Sequence, residues 1–140
     1  MSSQESRPLV GVGIVLVQEG KILLAKRQGS HGDNTWASAG GHLEFGETLE
    51  DCARREVREE FGIYVDRMTF LCVSNIIAYD RHYLDFEFLG DIGSQIPKIQ
   101  EKDSFISLQW FPLTDLPKPL FEPIRIAIDS LLTGQSYFPQ

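Results

Sequence analysis

The segment Gly41–Ile63 constrains the fold of this chain more than any other part of the sequence. Its stretch Glu44–Glu60 holds seven acids and three arginines, so it carries −4 of the chain's net charge of −7. Thr48 is a suitable N-cap, and Gly62 is the residue type that most often ends a helix in the left-handed conformation. We therefore expect one helix between these two residues. Acids this close together repel one another unless they are well solvated or gathered around a cation.

A helical wheel groups three of these acids with the apolar side of the predicted helix. At about 100° per residue, Glu59 and Glu60 lie within about 60° of Glu56. The apolar residues of the first half of the helix occupy the same side, whereas Arg54 and Arg58 lie opposite. We therefore expect the three carboxylates to face inward, toward the sheet on which the helix packs.

Inward carboxylates require positive partners, because burying an unpaired carboxylate destabilises the folded state by several kcal/mol. Arg55 is placed beside these acids, and we expect it to pair with one of them at most. Oxygen ligands without histidine or cysteine suit Mg²⁺ or Mn²⁺. The alternative is an ordinary charged helix with pairs such as Glu50 with Arg54, four residues apart.

Composition limits the class of protein. A chain of 140 residues with 42% hydrophobic residues is long enough for one domain with a real core. We expect a flexible tail over 1–8 and a single domain over 9–140. No apolar run approaches the roughly 20 residues that cross a bilayer, and the polar N-terminus favours a cytoplasmic protein. Cys52 and Cys72 are expected to be buried thiols, since no zinc-type cluster is present.

The acidity also restricts the partners. An acidic chain without a basic stripe is poorly suited to hold a nucleic-acid polymer. An acidic chain can still bind a single nucleotide, because a metal ion can neutralise the nucleotide's phosphates. Neither a nucleic-acid polymer nor a membrane is therefore an expected partner.

Strand patterns alternate with two helical ones, which predicts an α/β sandwich around one sheet. In the strand over 82–89, Leu84, Phe86 and Phe88 alternate with Asp85 and Glu87, so we expect the apolar residues to form its one buried face. A long polar loop is expected over 90–104. The predicted strands cover 9–17, 21–26, 35–39, 68–77, 82–89 and 108–111, and the second helix runs from Pro123 to Leu132.

The spacing of the acidic segment resembles the signature of the Nudix family, GX5EX7REUXEEXGU with U aliphatic. A chance match has a probability on the order of 10⁻⁹ per starting position. The segments GGHLEFGE and LPKPLF are similar to the compact MutT-type branch, and the resemblance implies a Nudix-type α/β/α sandwich with a mixed central sheet. All nine specified positions match: Gly41, Glu47, Arg55, Glu56, Val57, Glu59, Glu60, Gly62 and Ile63.

The resemblance implies an enzyme that hydrolyses the pyrophosphate linkage of a nucleoside diphosphate linked to another moiety, X, with bound Mg²⁺ or Mn²⁺. The first expectation for the substrate is a nucleoside triphosphate, modified or not, which gives the monophosphate and pyrophosphate. ADP-ribose or a nucleotide-sugar is the alternative. A nucleotide-binding Nudix module without catalysis is the alternative of another class. Similar proteins are usually homodimers.

Roles of individual residues follow from the same resemblance. Glu56 and Glu60 are expected to be the main metal ligands, with Glu59 as a further ligand or acting through metal-bound water. All three are candidate catalytic residues, and Glu56 is our choice for the general base. The carbonyl of Gly40 and, from the polar loop, Glu101 complete the expected metal site.

The remaining residues of the Nudix signature over 41–63, called here the box, are expected to be structural. Glu47 pairs with Arg55 to fix the loop before the helix, and Gly41 and Gly62 bound the segment. Three residues are expected to contact substrate: Arg27 at the phosphates, Glu44 (also a candidate metal ligand) and Phe121 at the base.

One departure from the family pattern lies just before the double glycine. Many similar proteins have Leu-Pro there, whereas this chain has Ser38-Ala39. Without the proline we expect a looser metal-binding loop or an altered substrate pocket. The change removes no ligand, so catalysis is still expected.

Overall fold

A computed structural model describes residues 7–29 and 31–139. Most of the tail predicted over 1–8 therefore lies outside the described residues. The mixture of strands with two helices confirms the predicted α/β class. The elements are β1 (Leu9–Gln18), β2 (Lys21–Arg27), β3 (Trp36–Ala37), β4 (Ala39–His42), α1 (Leu49–Phe61), β5 (Met68–Ala78), β6 (Arg81–Gly90), β7 (Phe105–Pro112), α2 (Glu122–Thr133) and β8 (Tyr137–Phe138).

β1 organises the sheet, because three strands pair with it. Its C-terminal end forms an antiparallel hairpin with β2 through Glu19 and Gly20, which both have positive φ. Its residues 11–14 pair antiparallel with β4, and residues 9–16 pair parallel with β6. The strand order is β3-β2-β1-β6-β5-β8, with β4 also beside β1 and β7 beside β2. The sheet is therefore mixed, as predicted.

The two helices cover opposite faces of this sheet. Side chains alternate along β1, so Val12 and Ile14 point to one face and Val15 to the other. Val12 and Ile14 pack with Val57 of α1, whereas Val15 packs with Ile124 of α2. These contacts make the α/β/α sandwich that was expected. No helix of the described residues is long and apolar enough to cross a membrane.

The caps of α1 are those that the sequence predicts. The Thr48 hydroxyl accepts a hydrogen bond from the Asp51 N–H at 3.0 Å. Gly62 ends the helix with a φ of 68°, and its N–H donates to the carbonyl of Arg58. Because both ends are fixed, every box side chain between them has a defined direction. The packed face of α1 includes Cys52, which is fully buried, as predicted.

β6 differs from its prediction in a way that matters for function. Asp85 and Glu87 are buried, with exposed fractions of 6% and 3%, whereas Leu84 is 39% exposed. The prediction that the apolar residues form the one buried face of this strand is therefore wrong. β6 is an interior strand of a sheet covered on both faces, and the acids point to the α2 side, where a cavity lies.

β7 is longer than the predicted strand over 108–111. It begins at Phe105, which is only 3% exposed and pairs with Arg27 of β2. The polar loop predicted over 90–104 is therefore present over 91–104, since Gly90 is the last residue of β6. Within that loop, Ile92 is buried at 3% exposure, so the loop is anchored in the core on the α1 side.

Candidate active site

A cavity of about 390 Å³ opens between the sheet, α1 and the start of α2. This volume is typical of a small-molecule site. Residues from β1, β2, β4, β6 and both helices line it. Seven of the residues predicted for the site are among them: Arg27, Gly40, Gly41, Glu44, Glu56, Glu60 and Phe121.

Glu60 is the most deeply buried of the box acids, with an exposed fraction of 7%. The N–H of Gly40 donates to its Oε1 at 2.9 Å. Burial raises the pKa of Glu60 to about 9, against the lowering effect of the Gly40 bond, and the negative charges of Glu56 and Glu101 raise it further. At neutral pH this carboxyl group therefore holds either a proton or a cation.

Glu56 lies on the same side of α1, with 13% of its side chain exposed. Burial raises the pKa of Glu56, while the Arg55 charge opposes the shift. Its carboxylate sits against the backbone of Gly41, where a Cβ atom would overlap it. Gly41 is thus needed for the close approach of α1 to β4, which explains why the signature has a glycine at this position.

Arg55 contacts four carboxylates. Its Nε and Nη2 donate to the two oxygens of Glu47 at 2.7 and 3.0 Å. Its Nη1 lies 2.7 Å from Glu56, 3.2 Å from Glu59 and 3.6 Å from Glu44. The pairing with Glu47 is present as predicted, but the expectation of a single acid partner is wrong. The guanidinium is a planar fork with five N–H donors, so one arginine can bridge several acids.

Glu59 does not face inward, and its wheel-based prediction is wrong. Its side chain is 46% exposed, because it lies at the edge of the helix face and turns toward Arg55. Glu101 is exposed as well, yet its charge raises the pKa of both Glu56 and Glu60, so it lies near them. Glu56 and Glu60 are thus mostly buried, whereas Glu59 and Glu101 are exposed.

The oxygen donors at this site fit a hard divalent cation by their chemistry. The carboxylates of Glu56 and Glu60 share the cavity with the backbone of Gly40. In this conformation Arg55 engages one oxygen of Glu56, and Gly40 engages one oxygen of Glu60. Within the described ranges, no group of three His, Cys, Asp or Glu side chains is already arranged to hold a metal.

Arg27 lies across the cavity at the end of β2. Its guanidinium carbon is 4.2 Å from the centroid of the Phe121 ring, and the Tyr79 ring stacks on Phe121 at 5.1 Å. Its Nη2 donates to the carbonyl of His31 at 3.4 Å. Its Nε is buried without a hydrogen-bond partner in the described part of the chain. A desolvated cation with an unused donor suits an anion such as a phosphate.

Two acidic cavity residues were missed by the sequence reasoning, Asp85 and Glu87, called here the acid pair. Gly11 and Gly13 of β1 stand beside them in the parallel β1–β6 register. A Cβ at Gly13 would lie 2.5 and 2.6 Å from the Glu87 oxygens, and one at Gly11 would lie 3.0 Å from Asp85 Oδ1. Two glycines at alternate positions of one strand, matched by two acids at alternate positions of another, were the available signal.

Comparisons with known proteins agree with this geometry. The sequence model of the NUDIX domain matches residues 7–131. The crystal structure of a MutT NUDIX hydrolase from Burkholderia pseudomallei superposes with a TM-score of 0.85 and 37% identity, covering 89% of this chain and 98% of that one.

Two curated relatives differ in the substrates that their names give. The oxidized purine nucleoside triphosphate hydrolase of Danio rerio is 31% identical in an alignment of 113 residues, which covers 74% of this chain and 66%, just under two thirds, of that protein. The ADP-ribose pyrophosphatase of Methanocaldococcus jannaschii is 31% identical over 125 residues, covering 87% of this chain and 72% of that protein.

Proposed function

Because the chain belongs to the Nudix hydrolase family, we propose that it hydrolyses a nucleoside triphosphate, modified or not, to the monophosphate and pyrophosphate. The observation that carries the proposal is the cavity in which two largely buried carboxylates, Glu56 and Glu60, share space with the half-buried cation Arg27. Carboxylates that attract a cation, set opposite an arginine with an unused donor, suit a polyphosphate chain. The resemblance to a triphosphate hydrolase supports the choice of substrate.

The proposed cofactor is Mg²⁺ or Mn²⁺, held by Glu56, Glu60 and the carbonyl of Gly40, with Glu59 and Glu101 as outer ligands. Bound there, the ion would supply positive charge that neutralises the phosphate oxygens. Glu60 keeps a proton until a cation replaces it, because its burial disfavours a bare negative charge. The exposed positions of Glu59 and Glu101 suit ligands that close in only when substrate is present.

Each remaining cavity residue has a proposed task. Glu56 accepts the proton of the attacking water, a task favoured by its burial, which raises its pKa above the ordinary value. Arg27 binds a phosphate through its guanidinium, while Phe121, whose ring packs against Arg27 and Tyr79, lines the cavity at the base. Glu44, at the exposed rim, contacts the substrate or its metal. Arg55 positions Glu56 and the loop but does not touch the reacting atoms.

The experiment that tests the proposal is a substrate panel with Mg²⁺ or Mn²⁺. Nucleoside triphosphates, their oxidised forms, ADP-ribose and nucleotide-sugars are each incubated with the enzyme, and released pyrophosphate or phosphomonoester is measured. Glu56→Gln is the inactive reference, and Glu50→Gln, which changes an exposed acid of the same helix, is the matched control. Preference for ADP-ribose over every triphosphate would overturn the first choice of substrate.

A second candidate, hydrolysis of ADP-ribose or a nucleotide-sugar, is favoured by the archaeal relative, which aligns with more of this chain. A third, a non-catalytic nucleotide-binding module, requires binding without turnover in either metal, and the complete set of box acids argues against it. The proposal also includes a homodimer in the cytoplasm. Light scattering during gel filtration tests the first part, and cell fractionation tests the second.

A further inference from the structure

The tip of the β5–β6 hairpin carries a residue whose backbone conformation does not suit its side chain. Tyr79 and Asp80 form the two-residue turn between the paired residues Ala78 and Arg81, with φ angles of 54° and 59°. Hairpin turns with positive φ at both positions favour glycine, asparagine and aspartate. Asp80 fits this preference, whereas a residue as bulky as tyrosine is rare at such a φ. Strain of this kind persists where other contacts offset it, which points to the side chain of Tyr79.

The Tyr79 side chain makes two contacts with the start of α2. Its ring stacks on the ring of Phe121, with the centroids 5.1 Å apart and the planes 13° from parallel. Its hydroxyl accepts a hydrogen bond from the N–H of Glu122 at 3.0 Å. Phe121 is the N-cap of α2, and its own side chain makes no capping hydrogen bond. Tyr79 therefore supplies a partner for one of the N–H groups that a helix start leaves unpaired, and it fastens the hairpin tip to α2.

The Phe121 ring is enclosed by neighbours besides Tyr79. The backbone N–H of Phe121 donates to the carbonyl of Trp36 at 2.8 Å, which fixes the point from which the ring extends. Gly32, at a φ of 74°, lies so close that an added Cβ would be 2.6 Å from the ring and 3.0 Å from Arg27 Nε. These contacts limit the rotation of the ring, which lies 4.2 Å from the guanidinium carbon of Arg27.

Arg27 depends on this ring because its other contacts are weak. Its Nη2 reaches the carbonyl of His31 at 3.4 Å, and its Nε has no hydrogen-bond partner within the described part of the chain. A guanidinium is attracted to the face of an aromatic ring. An arginine that is already held in place loses less side-chain freedom when it binds an anion, so it binds that anion more tightly than a mobile arginine does.

We propose that Tyr79 is a positioning residue, which holds the Phe121 ring against Arg27 and thereby keeps the guanidinium directed at a substrate phosphate. The inference rests on the proposed function, which it deepens by assigning a task to the hairpin tip outside the box. Tyr79 itself does not touch the reacting atoms. The proposal also gives a reason for the strained turn, because only a large flat side chain at this position can reach the Phe121 ring.

Nitrogen relaxation of the Arg27 Nε–H group tests the positioning without substrate or metal. This group is buried, so its proton should exchange with water slowly enough to be observed, and Arg27→Lys identifies its resonance by removing it. The heteronuclear nuclear Overhauser effect should fall in Tyr79→Asn, which suits the backbone but lacks the ring. It should be kept in Tyr79→Phe, which lacks only the hydroxyl. Asp80→Asn, which changes the exposed neighbour in the same turn, is the matched control.

Kinetics with the substrate that the panel identifies test the consequence for binding. In Tyr79→Asn the KM should rise about tenfold with kcat nearly unchanged, roughly the effect of weakening one hydrogen bond to a charged group. Because Tyr79 acts through Arg27, Tyr79→Asn should leave KM unchanged when it is introduced into Arg27→Gln. A residue that only stabilised the fold would add its effect to that of Arg27→Gln.

The outcomes separate the two proposals. A lower Overhauser effect in a Tyr79→Asn protein that hydrolyses no nucleotide would leave the positioning role standing and refute the proposed function. Hydrolysis accompanied by the parental Overhauser effect in Tyr79→Asn, or by KM effects that add to those of Arg27→Gln, would overturn the positioning role. Circular dichroism establishes that the variants are folded. Should Tyr79→Asn be unfolded, Tyr79→Leu, which keeps apolar volume without a flat ring, replaces it in both measurements.

Discussion

Replacing Glu60 with glutamine should stabilise the metal-free protein, by an amount that grows with pH. Burial raises the pKa of Glu60 from the ordinary 4.5 to about 9, so the folded state holds the proton more tightly than the unfolded state does. The free energy of unfolding then falls as pH rises between these values, by about 1.4 kcal/mol per pH unit. Glutamine has no proton to lose and keeps an oxygen for the Gly40 N–H.

The size of the expected stability difference follows from the pH interval over which it is measured. Between pH 5.5 and 8.5 the stability difference between Glu60→Gln and the parent should grow by about 4 kcal/mol. Urea unfolding in EDTA at three pH values measures it. Glu50→Gln, which changes an exposed acid of the same helix, should follow the parent at every pH. A Glu60→Gln curve parallel to that of the parent, with a difference that varies by less than about 1 kcal/mol, would refute the reasoning.

Three further predictions concern the catalytic side of the cavity. Glu56→Gln should lower turnover by about 10²- to 10⁴-fold while the melting temperature is kept, and turnover at the parental rate would exclude Glu56 as base. Mg²⁺ or Mn²⁺ at 100 times its Kd should stabilise the fold by about 2.7 kcal/mol, because it binds the folded form alone; unchanged melting curves would contradict a cation site. Gly41→Ala should displace the Glu56 carboxylate and reduce kcat by about 100-fold at saturating metal, whereas unchanged kcat would show that the overlap is relieved elsewhere.

The acidic helix was predictable because its determinants are local. Thr48 and Gly62 fix its ends through bonds to residues three or four positions away, so no tertiary information is needed. The direction of Glu60 followed from the same periodicity. The wheel failed for Glu59, which lies near the boundary of the buried face, where a small rotation decides between the sheet and solvent. Arg55 contacts four carboxylates where one was expected, because a helical wheel shows the direction of a side chain but not how far it reaches.

The acid pair was unpredictable for a different reason. Alternating acids and phenylalanines in a strand ordinarily mean that the acids face water, as they would in an edge strand or an open sheet. Whether β6 is an interior strand depends on its pairing with β1, which the local pattern does not reveal. Gly11 and Gly13 make sense only beside Asp85 and Glu87, so both halves of the signal had to be matched across the chain.

The parallel pairing of β1 with β6 has a consequence for the order of folding. It joins residues more than seventy positions apart, so a large loop must close before Gly11 and Gly13 meet the acid pair. Contacts of such range form slowly, whereas α1 can form early from local bonds. We therefore expect helical circular dichroism to recover before hydrolytic activity after dilution from urea, and simultaneous recovery would contradict this order. The chain would form its acidic helix first and complete its cavity last.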